Sequence, residues 1–172
     1  GHMLMKMGKT AEAKAAFEKA KAIADDEVAK CNLGAVALAE GDLETAESLL
    51  SAGMGAGDAA SYNLGIIKIK QGDYAAAASY FGSKPSFNAA LAQLLNGNND
   101  KALATLNEMG DDVGACVYYL KAIASARAGK EDGVFVNLRN AVGKDAKWKE
   151  YALKDAELLK YASTESFRAI MQ

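Results

Sequence analysis

The fold of this chain is decided by residues 62–81, which read YNLGIIKIKQGDYAAAASYF. A largely apolar run leads to Gly72, a glycine that can end a helix in the left-handed conformation, and Asp73 can then cap the next helix. The same order occurs earlier in the chain, where Gly41-Asp42 follows another apolar run. The two stretches therefore predict a repeated helix–turn–helix unit.

The turn glycine recurs along the whole chain. It is followed five residues later by a small apolar residue and nine residues later by a large one, for example Ala46 with Leu50 and Ala77 with Phe81. The turn glycines are Gly8, Gly41, Gly72, Gly97 and Gly129, spaced by 33, 31, 25 and 32 residues. Such a period is typical of helix-pair solenoids, in which each unit buries its apolar face against its neighbours.

The segment Tyr62-Asn63-Leu64-Gly65, followed by Gly72 and Ala77, resembles the tetratricopeptide repeat (TPR). The resemblance covers nearly the whole chain and is most specific over residues 58–81. It implies an all-α fold, a right-handed superhelical solenoid of antiparallel helix pairs with a C-terminal helical cap. The 25-residue step predicts a shortened helix pair or a clipped turn. Pro85, close to that step, is expected in the first turn of a helix.

The repeat frame predicts three parts of the chain. Residues 1–3 resemble what a cleaved expression tag leaves behind, and the helix that ends at Met7 is expected to begin outside the sequence. Residues 4–143 are predicted to form the repeat array, a partial first unit followed by units near 27–57, 58–83, 84–110 and 111–143. Residues 144–172 are predicted to form capping helices that start at Asp155 and Thr164 among other positions.

Three shorter features of the sequence carry further expectations. The acidic residues 25–27 and 111–112 precede predicted helices, where caps and helix dipoles favour them. The glycine-rich segment 53–57 lacks the lysine of a phosphate-binding loop and is expected to be a flexible connection. Trp148 is expected in the core of the cap, with a ligand platform as the alternative.

The composition excludes several classes of function. A net charge of −2 argues against a nucleic-acid surface, and no apolar run approaches the roughly 18 residues of a membrane span. The one histidine, His2, lies in the tag-like stretch, which excludes histidine bases and most transition-metal sites. Cys31 and Cys116 have no evident base and are expected to be buried hydrophobes. We therefore predict no enzymatic activity, no cofactor and no metal.

The candidate site follows from the resemblance. In TPR proteins the first helix of each pair lines a concave groove that holds a peptide or a partner helix. The positions that match the groove and that we single out are Asn32, Tyr62, Asn63, Ile66, Lys70, Phe87, Leu91, Tyr119, Ile123 and Arg127. The alternative for the apolar members of this set is packing against the next repeat, and for the charged members it is simple solvation.

One TPR subset grips a terminal carboxylate with lysine, arginine and asparagine. Asn32 and Asn63 resemble the asparagines of that clamp, but Cys31 stands where the clamp has a lysine. Ala35 and Ile66 stand where it has polar residues. Two asparagines without cations hold an anion weakly, so the sequence does not favour a carboxylate clamp.

The predicted function is a protein–protein interaction module, which binds a peptide or helix of a protein partner as a scaffold or adaptor within a longer protein. The alternative is a structural spacer or a self-association domain without a peptide ligand. We expect a monomer, with a homo-oligomer as the alternative, and neither nucleic-acid binding nor membrane insertion. The two cysteines fit the cytoplasm and the periplasm equally well.

Overall fold

The computed structural model describes residues 1–172 and contains helices and turns but no strand, which confirms the all-α expectation. The helices are α1 His2–Lys6, α2 Thr10–Ile23, α3 Glu27–Glu40, α4 Leu43–Ala52, α5 Asp58–Gln71, α6 Tyr74–Phe81, α7 Phe87–Leu95, α8 Asn99–Glu108, α9 Ala115–Arg127, α10 Glu131–Lys144, α11 Trp148–Ala152, α12 Ala156–Leu159 and α13 Glu165–Met171. The chain divides into two compact units, unit 1 (Gly1–Gly82) and unit 2 (Ser83–Gln172).

The helix pairs are made by the predicted turns. All five turn glycines have positive φ angles, between 70° and 84°. At Gly41 and Gly72 this left-handed conformation ends α3 and α5, and an L side chain there would be strained. Asp42 then accepts a hydrogen bond from the backbone N–H of Thr45, and Asp73 repeats this cap on α6.

The core of unit 1 depends on close approaches between paired helices. Gly34 on α3 faces Leu50 on α4, and a Cβ added to Gly34 would lie 2.6 Å from Leu50 Cγ. Gly65 on α5 faces the ring of Phe81 on α6 in the same way. Because the glycines have no side chain, Leu50 and Phe81 can fill the space between the paired helices. These pairs lie seven residues before each turn and nine after it, as the repeat frame predicts.

The glycine-rich segment 53–57 is ordered, contrary to the expectation of a flexible connection. It forms a 3₁₀ turn over Met54–Ala56 that packs against α3 and α5. Gly53 is buried, and a Cβ added to it would lie 2.7 Å from the backbone nitrogen of Cys31 and 2.8 Å from the carbonyl oxygen of Glu27. The glycine therefore allows direct backbone contact, which the sequence pattern does not reveal.

We expect Gly53→Ala to lower the free energy of unfolding by about 1 to 3 kcal/mol, because the new methyl group meets backbone that cannot move aside. The matched control is Gly143→Ala in α10, where nothing lies within 4 Å of an added Cβ. There the helix gains about 0.5 kcal/mol. Urea unfolding of both variants checks the pair. Equal and small effects would contradict the close packing of the 3₁₀ turn.

The short step between Gly72 and Gly97 has a simple structural cause. Helix α6 has 8 residues and α7 has 9, whereas α3 and α5 have 14 each. The prediction for Pro85 is wrong: α7 begins at Phe87, and its N-cap is Ser86, whose hydroxyl accepts from the N–H of Ala89. Pro85 therefore lies one residue before the N-cap, outside the helix, where the backbone N–H that proline lacks is not required by any helical hydrogen bond.

The acidic residues near α9 also differ from the expectation. Helix α9 begins at Ala115 with Gly114 as its N-cap, so Asp111 and Asp112 lie outside its first turn. The carbonyl of Asp111 instead accepts a hydrogen bond from the hydroxyl of Tyr118. The run 25–27, in contrast, contains a cap as expected: Asp26 is the N-cap of α3, and its carboxylate accepts from the N–H of Ala29.

The last three helices of unit 2 pack onto the pair formed by α9 and α10. Helix α12 contacts α9, and α13 contacts α10. The predicted caps are present, Asp155 on α12 and Thr164 on α13. Leu158 and Phe167 are buried in the same core as α9 and α10, at 0% and 1% exposure. The C-terminal helices therefore belong to the hydrophobic core of unit 2.

Candidate functional site

The candidate site residues all lie on the first helices of the pairs, which we call the inner helices. In unit 1 the inner helices α3 and α5 contact each other. In unit 2 the inner helices α7 and α9 do the same. Each unit thus has its own layer of inner helices, and α4, α6, α8 and α10 are their paired second helices.

Two asparagines of unit 1 have unused hydrogen-bonding groups. Asn32 on α3 and Asn63 on α5 occupy equivalent positions one repeat apart, and both are half-buried. Neither side-chain amide hydrogen-bonds another group of the protein. Each amide offers two N–H donors and an acceptor oxygen. The pair can therefore bind the backbone of an extended segment.

A stripe of three further candidates runs along α5. Tyr62, Ile66 and Lys70 are spaced four residues apart, so they lie on one face of the helix. Tyr62 is 40% exposed, and its ring meets that of Phe81 edge-on with 5.2 Å between the centroids. Ile66 is half-buried and Lys70 is exposed. The stripe combines aromatic, apolar and cationic surface on a rigid helix.

The carboxylate clamp has no support in unit 1. Cys31, which stands at the lysine position of such a clamp, is only 6% exposed and belongs to the core. Its burial raises the pKa of its thiol, so Cys31 is a neutral, apolar residue. Beside Asn32 there is thus a buried thiol where a clamp needs a cation.

A polar network fixes α5 against α4 on the surface of unit 1. The ammonium group of Lys68 donates to Glu47 Oε1, and Gln71 Nε2 donates to Glu47 Oε2 at 2.8 Å. The hydrogen bond from Lys68 lowers the pKa of Glu47, and the pKa of Lys68 is raised by the same pair. Both groups stay charged at neutral pH and help to hold α5 in place.

The apolar candidates of unit 2 face the interior. Phe87 and Leu91 on α7 are half-buried and pack against the core of unit 2. Ile123 on α9 is 8% exposed and is itself a core residue. Burial of this kind agrees with the alternative for the apolar groove positions, which is packing inside the array. Ile123 is therefore not part of the proposed site. A role of Phe87 and Leu91 in partner binding stays a prediction.

The polar candidates of unit 2 bind groups of their own chain. The hydroxyl of Tyr119 lies 3.3 Å from Asp155 Oδ2, and burial, reinforced by that carboxylate, raises the pKa of Tyr119. The guanidinium of Arg127 pairs with Glu157 at 3.2 Å and donates to the carbonyl of Leu94 at 3.3 Å. Both side chains connect α9 to other helices of unit 2, and their contact with a partner stays a prediction.

An aromatic stack in unit 2 contains Trp148, for which a ligand platform is the alternative to a position in the core of the cap. The rings of Tyr119 and Trp148 lie 4.5 Å apart, and those of Trp148 and Tyr151 lie 5.2 Å apart. Trp148 Nε1 is buried without an acceptor, so ring contacts hold the indole in place. Tyr151, at the end of the stack, is 57% exposed. The spacing of Trp148 and Tyr151 on one helical turn is the sequence signal for this arrangement.

The remaining chemistry of the chain is sparse. Cys31 is buried as expected, but Cys116 is exposed on the first turn of α9, contrary to the expectation. Both cysteines are free thiols. No group of three or more histidine, cysteine, aspartate or glutamate side chains could hold a metal ion. None of the helices combines the length and apolar character needed to cross a membrane.

Comparison with known families identifies the repeats. Residues 1–27 match one model of the tetratricopeptide repeat, and residues 28–52 match a second. The matched segments hold the pairs α1–α2 and α3–α4, so the TPR assignment is confirmed for these two pairs, and the matches agree with the fold class of helical repeats. Residues 1–52 are thus tetratricopeptide repeats. No curated protein matches the chain.

The family defines the general class of function. TPR repeats are protein–protein interaction modules in general, and the family is typically non-enzymatic. Repeats of this kind indicate protein partners in general.

Proposed function

We propose that unit 1 binds an extended segment of a protein partner along the inner helices α3 and α5, as part of a scaffold or adaptor. The contact residues are Asn32, Asn63, Tyr62, Ile66 and Lys70. The observation that carries the proposal is the pair of unbonded amides at equivalent positions of adjacent repeats. An extended backbone presents N–H and C=O groups at regular intervals, which matches amides repeated in this way.

The stripe on α5 supplies the apolar part of the proposed binding surface. Tyr62 and Ile66 can contact side chains of the bound segment, and Lys70 lies at the end of the same face. Helix α5 is packed on α4 and α6 and tied by Glu47 and Lys68, so the surface exists before the partner arrives. A preformed surface of this kind reduces the entropy lost on binding.

The proposal is tested by selecting peptides from a displayed random library on the immobilised protein and measuring their affinities by calorimetry. We expect Asn63→Ala to weaken the selected peptides about tenfold, the value of one lost hydrogen bond in a partly buried site. The matched control, Asn140→Ala, changes an exposed asparagine on the second helix α10 and should bind like wild type.

Two results would overturn the proposal. Peptides that bind Asn32→Ala and Asn63→Ala as tightly as wild type would place the site elsewhere. A molar mass that grows with concentration in light scattering, with no peptide selected, would favour the self-association domain instead.

A further inference from the structure

We propose that the exposed end of the aromatic stack in unit 2 is a second docking site, for an acidic segment of a protein partner that carries an aromatic residue. The site is centred on Tyr151 and flanked by Lys147 and Lys154. It shares no residue with the surface of α3 and α5, so a test of this site gives a result that does not depend on the proposed function of unit 1.

The first argument is the exposure of the stack. The ring of Tyr151 packs on that of Trp148 with 5.2 Å between the centroids, and Trp148 packs in turn on Tyr119 at 4.5 Å. Even so, 57% of Tyr151 remains exposed. Leu153 beside it is 52% exposed. Aromatic rings favour offset or edge-on neighbours at such distances. A ring from a partner can therefore extend the stack by one member without rearrangement of the cap.

The second argument is charge. Lys147 is the N-cap residue of α11, four residues before Tyr151, and Lys154 lies in the turn that follows the helix, three residues after Tyr151. The Lys147 ammonium is also 5.8 Å from the centroid of the Trp148 ring. Residues 144–154 contain four lysines and two acidic residues, a net positive stretch that ends at Asp155, the partner of the Tyr119 hydroxyl. Carboxylates of a partner are the complementary groups.

The existing ion pairs leave these lysines available. Lys147 pairs with Asp145 and Lys154 with Glu150, and the side chains of the second pair are 72% and 74% exposed. Exposed ion pairs of this kind contribute little to stability, because water and salt screen them. A partner carboxylate can replace or share them at little cost.

The chain offers a direct probe of this site, because Trp148 is its one tryptophan. The protein is titrated with the acetylated and amidated peptide Glu-Asp-Phe-Asp-Glu while the emission of Trp148 is followed. The same titration uses Glu-Asp-Ala-Asp-Glu, Lys-Arg-Phe-Arg-Lys and a short oligothymidylate. We expect a saturable change with the acidic phenylalanine peptide and weaker binding of the other three.

The variants identify the contacts. Tyr151→Ala should weaken the acidic phenylalanine peptide about three- to tenfold, the value of one aromatic pair. Lys154→Gln should weaken it about two- to fivefold. The control Lys101→Gln changes an exposed lysine of α8 without an ion pair and should bind like wild type. Asn63→Ala should also bind like wild type, which separates this site from the one in unit 1.

Several results would overturn the proposal. These are the absence of a saturable change with the acidic phenylalanine peptide, equal binding of the basic peptide, and unchanged binding by both Tyr151→Ala and Lys154→Gln. Tighter binding of the oligothymidylate would identify the surface as a nucleic-acid site instead.

Discussion

Replacing Phe167 by alanine is expected to lower the free energy of unfolding of unit 2 by about 3 to 5 kcal/mol. Phe167 is the largest of the fully buried side chains, with 1% exposure, and it anchors α13 in the core shared with α10. Its removal leaves a cavity beside Leu158 and Ile170, the other buried residues of the last two helices. A seven-residue helix has little stability of its own, so α13 depends on this contact.

Urea unfolding followed by circular dichroism measures this loss, with Ser166→Ala as the control. Ser166 is the exposed neighbour of Phe167 on α13, and its substitution should change stability by less than about 0.5 kcal/mol. A loss below about 1 kcal/mol for Phe167→Ala would mean that α13 is not part of the core.

Leu50→Ala is expected to cost unit 1 about 2 to 5 kcal/mol. Leu50 has no exposed surface and fills the space opposite Gly34, which has no side chain that could move into the cavity. The helices α3 and α4 would have to approach each other to close the gap. Neighbouring Gly53, which touches the backbone of Cys31, leaves them little freedom to do so.

A double-variant cycle tests that contact. Gly34→Ala alone should cost about 1 to 3 kcal/mol, because the new methyl group overlaps with Leu50. In the combined variant, alanine at position 34 occupies part of the space that Leu50 vacates, so the loss should be smaller than the sum of the single losses. Additive losses in urea unfolding would contradict a direct contact between these two residues.

The features that the sequence predicts well are those decided within a few residues. A glycine with positive φ followed by an aspartate cap, as at Gly41-Asp42 and Gly72-Asp73, ends one helix and starts the next wherever it occurs. The pairing of Gly34 with Leu50 and of Gly65 with Phe81 follows from the same spacing around the turn. Residues beyond these turns are then placed by helical periodicity alone.

The features that the sequence misses depend on tertiary contacts. Gly53 is buried because the 3₁₀ turn packs on α3, and nothing in its own segment indicates this. The position of Pro85 relative to α7 depends on Ser86, which competes as the cap. Asp112 lies outside α9 because that helix begins only at Ala115.

The candidate site shows the same difference between features decided by local sequence and features decided by tertiary contacts. Positions on the inner helices follow from the repeat frame, so Asn32 and Asn63 are placed correctly on their helices. The groups that each side chain contacts do not follow from the repeat frame. Arg127 pairs with Glu157 and Tyr119 stacks on Trp148, and in both cases the partner lies about 30 residues further along the chain.

The contacts of Arg127 have a consequence for local opening. Repeat arrays generally fray from their ends, because each repeat touches only its neighbours. In unit 2, Arg127 bonds the last turn of α7 through Leu94 and α12 through Glu157, while its own carbonyl accepts from Asn99 of α8. Release of α12 therefore weakens the hold on α7 as well. The amide hydrogens of α7, α9 and α12 should accordingly exchange with solvent through one shared opening rather than helix by helix.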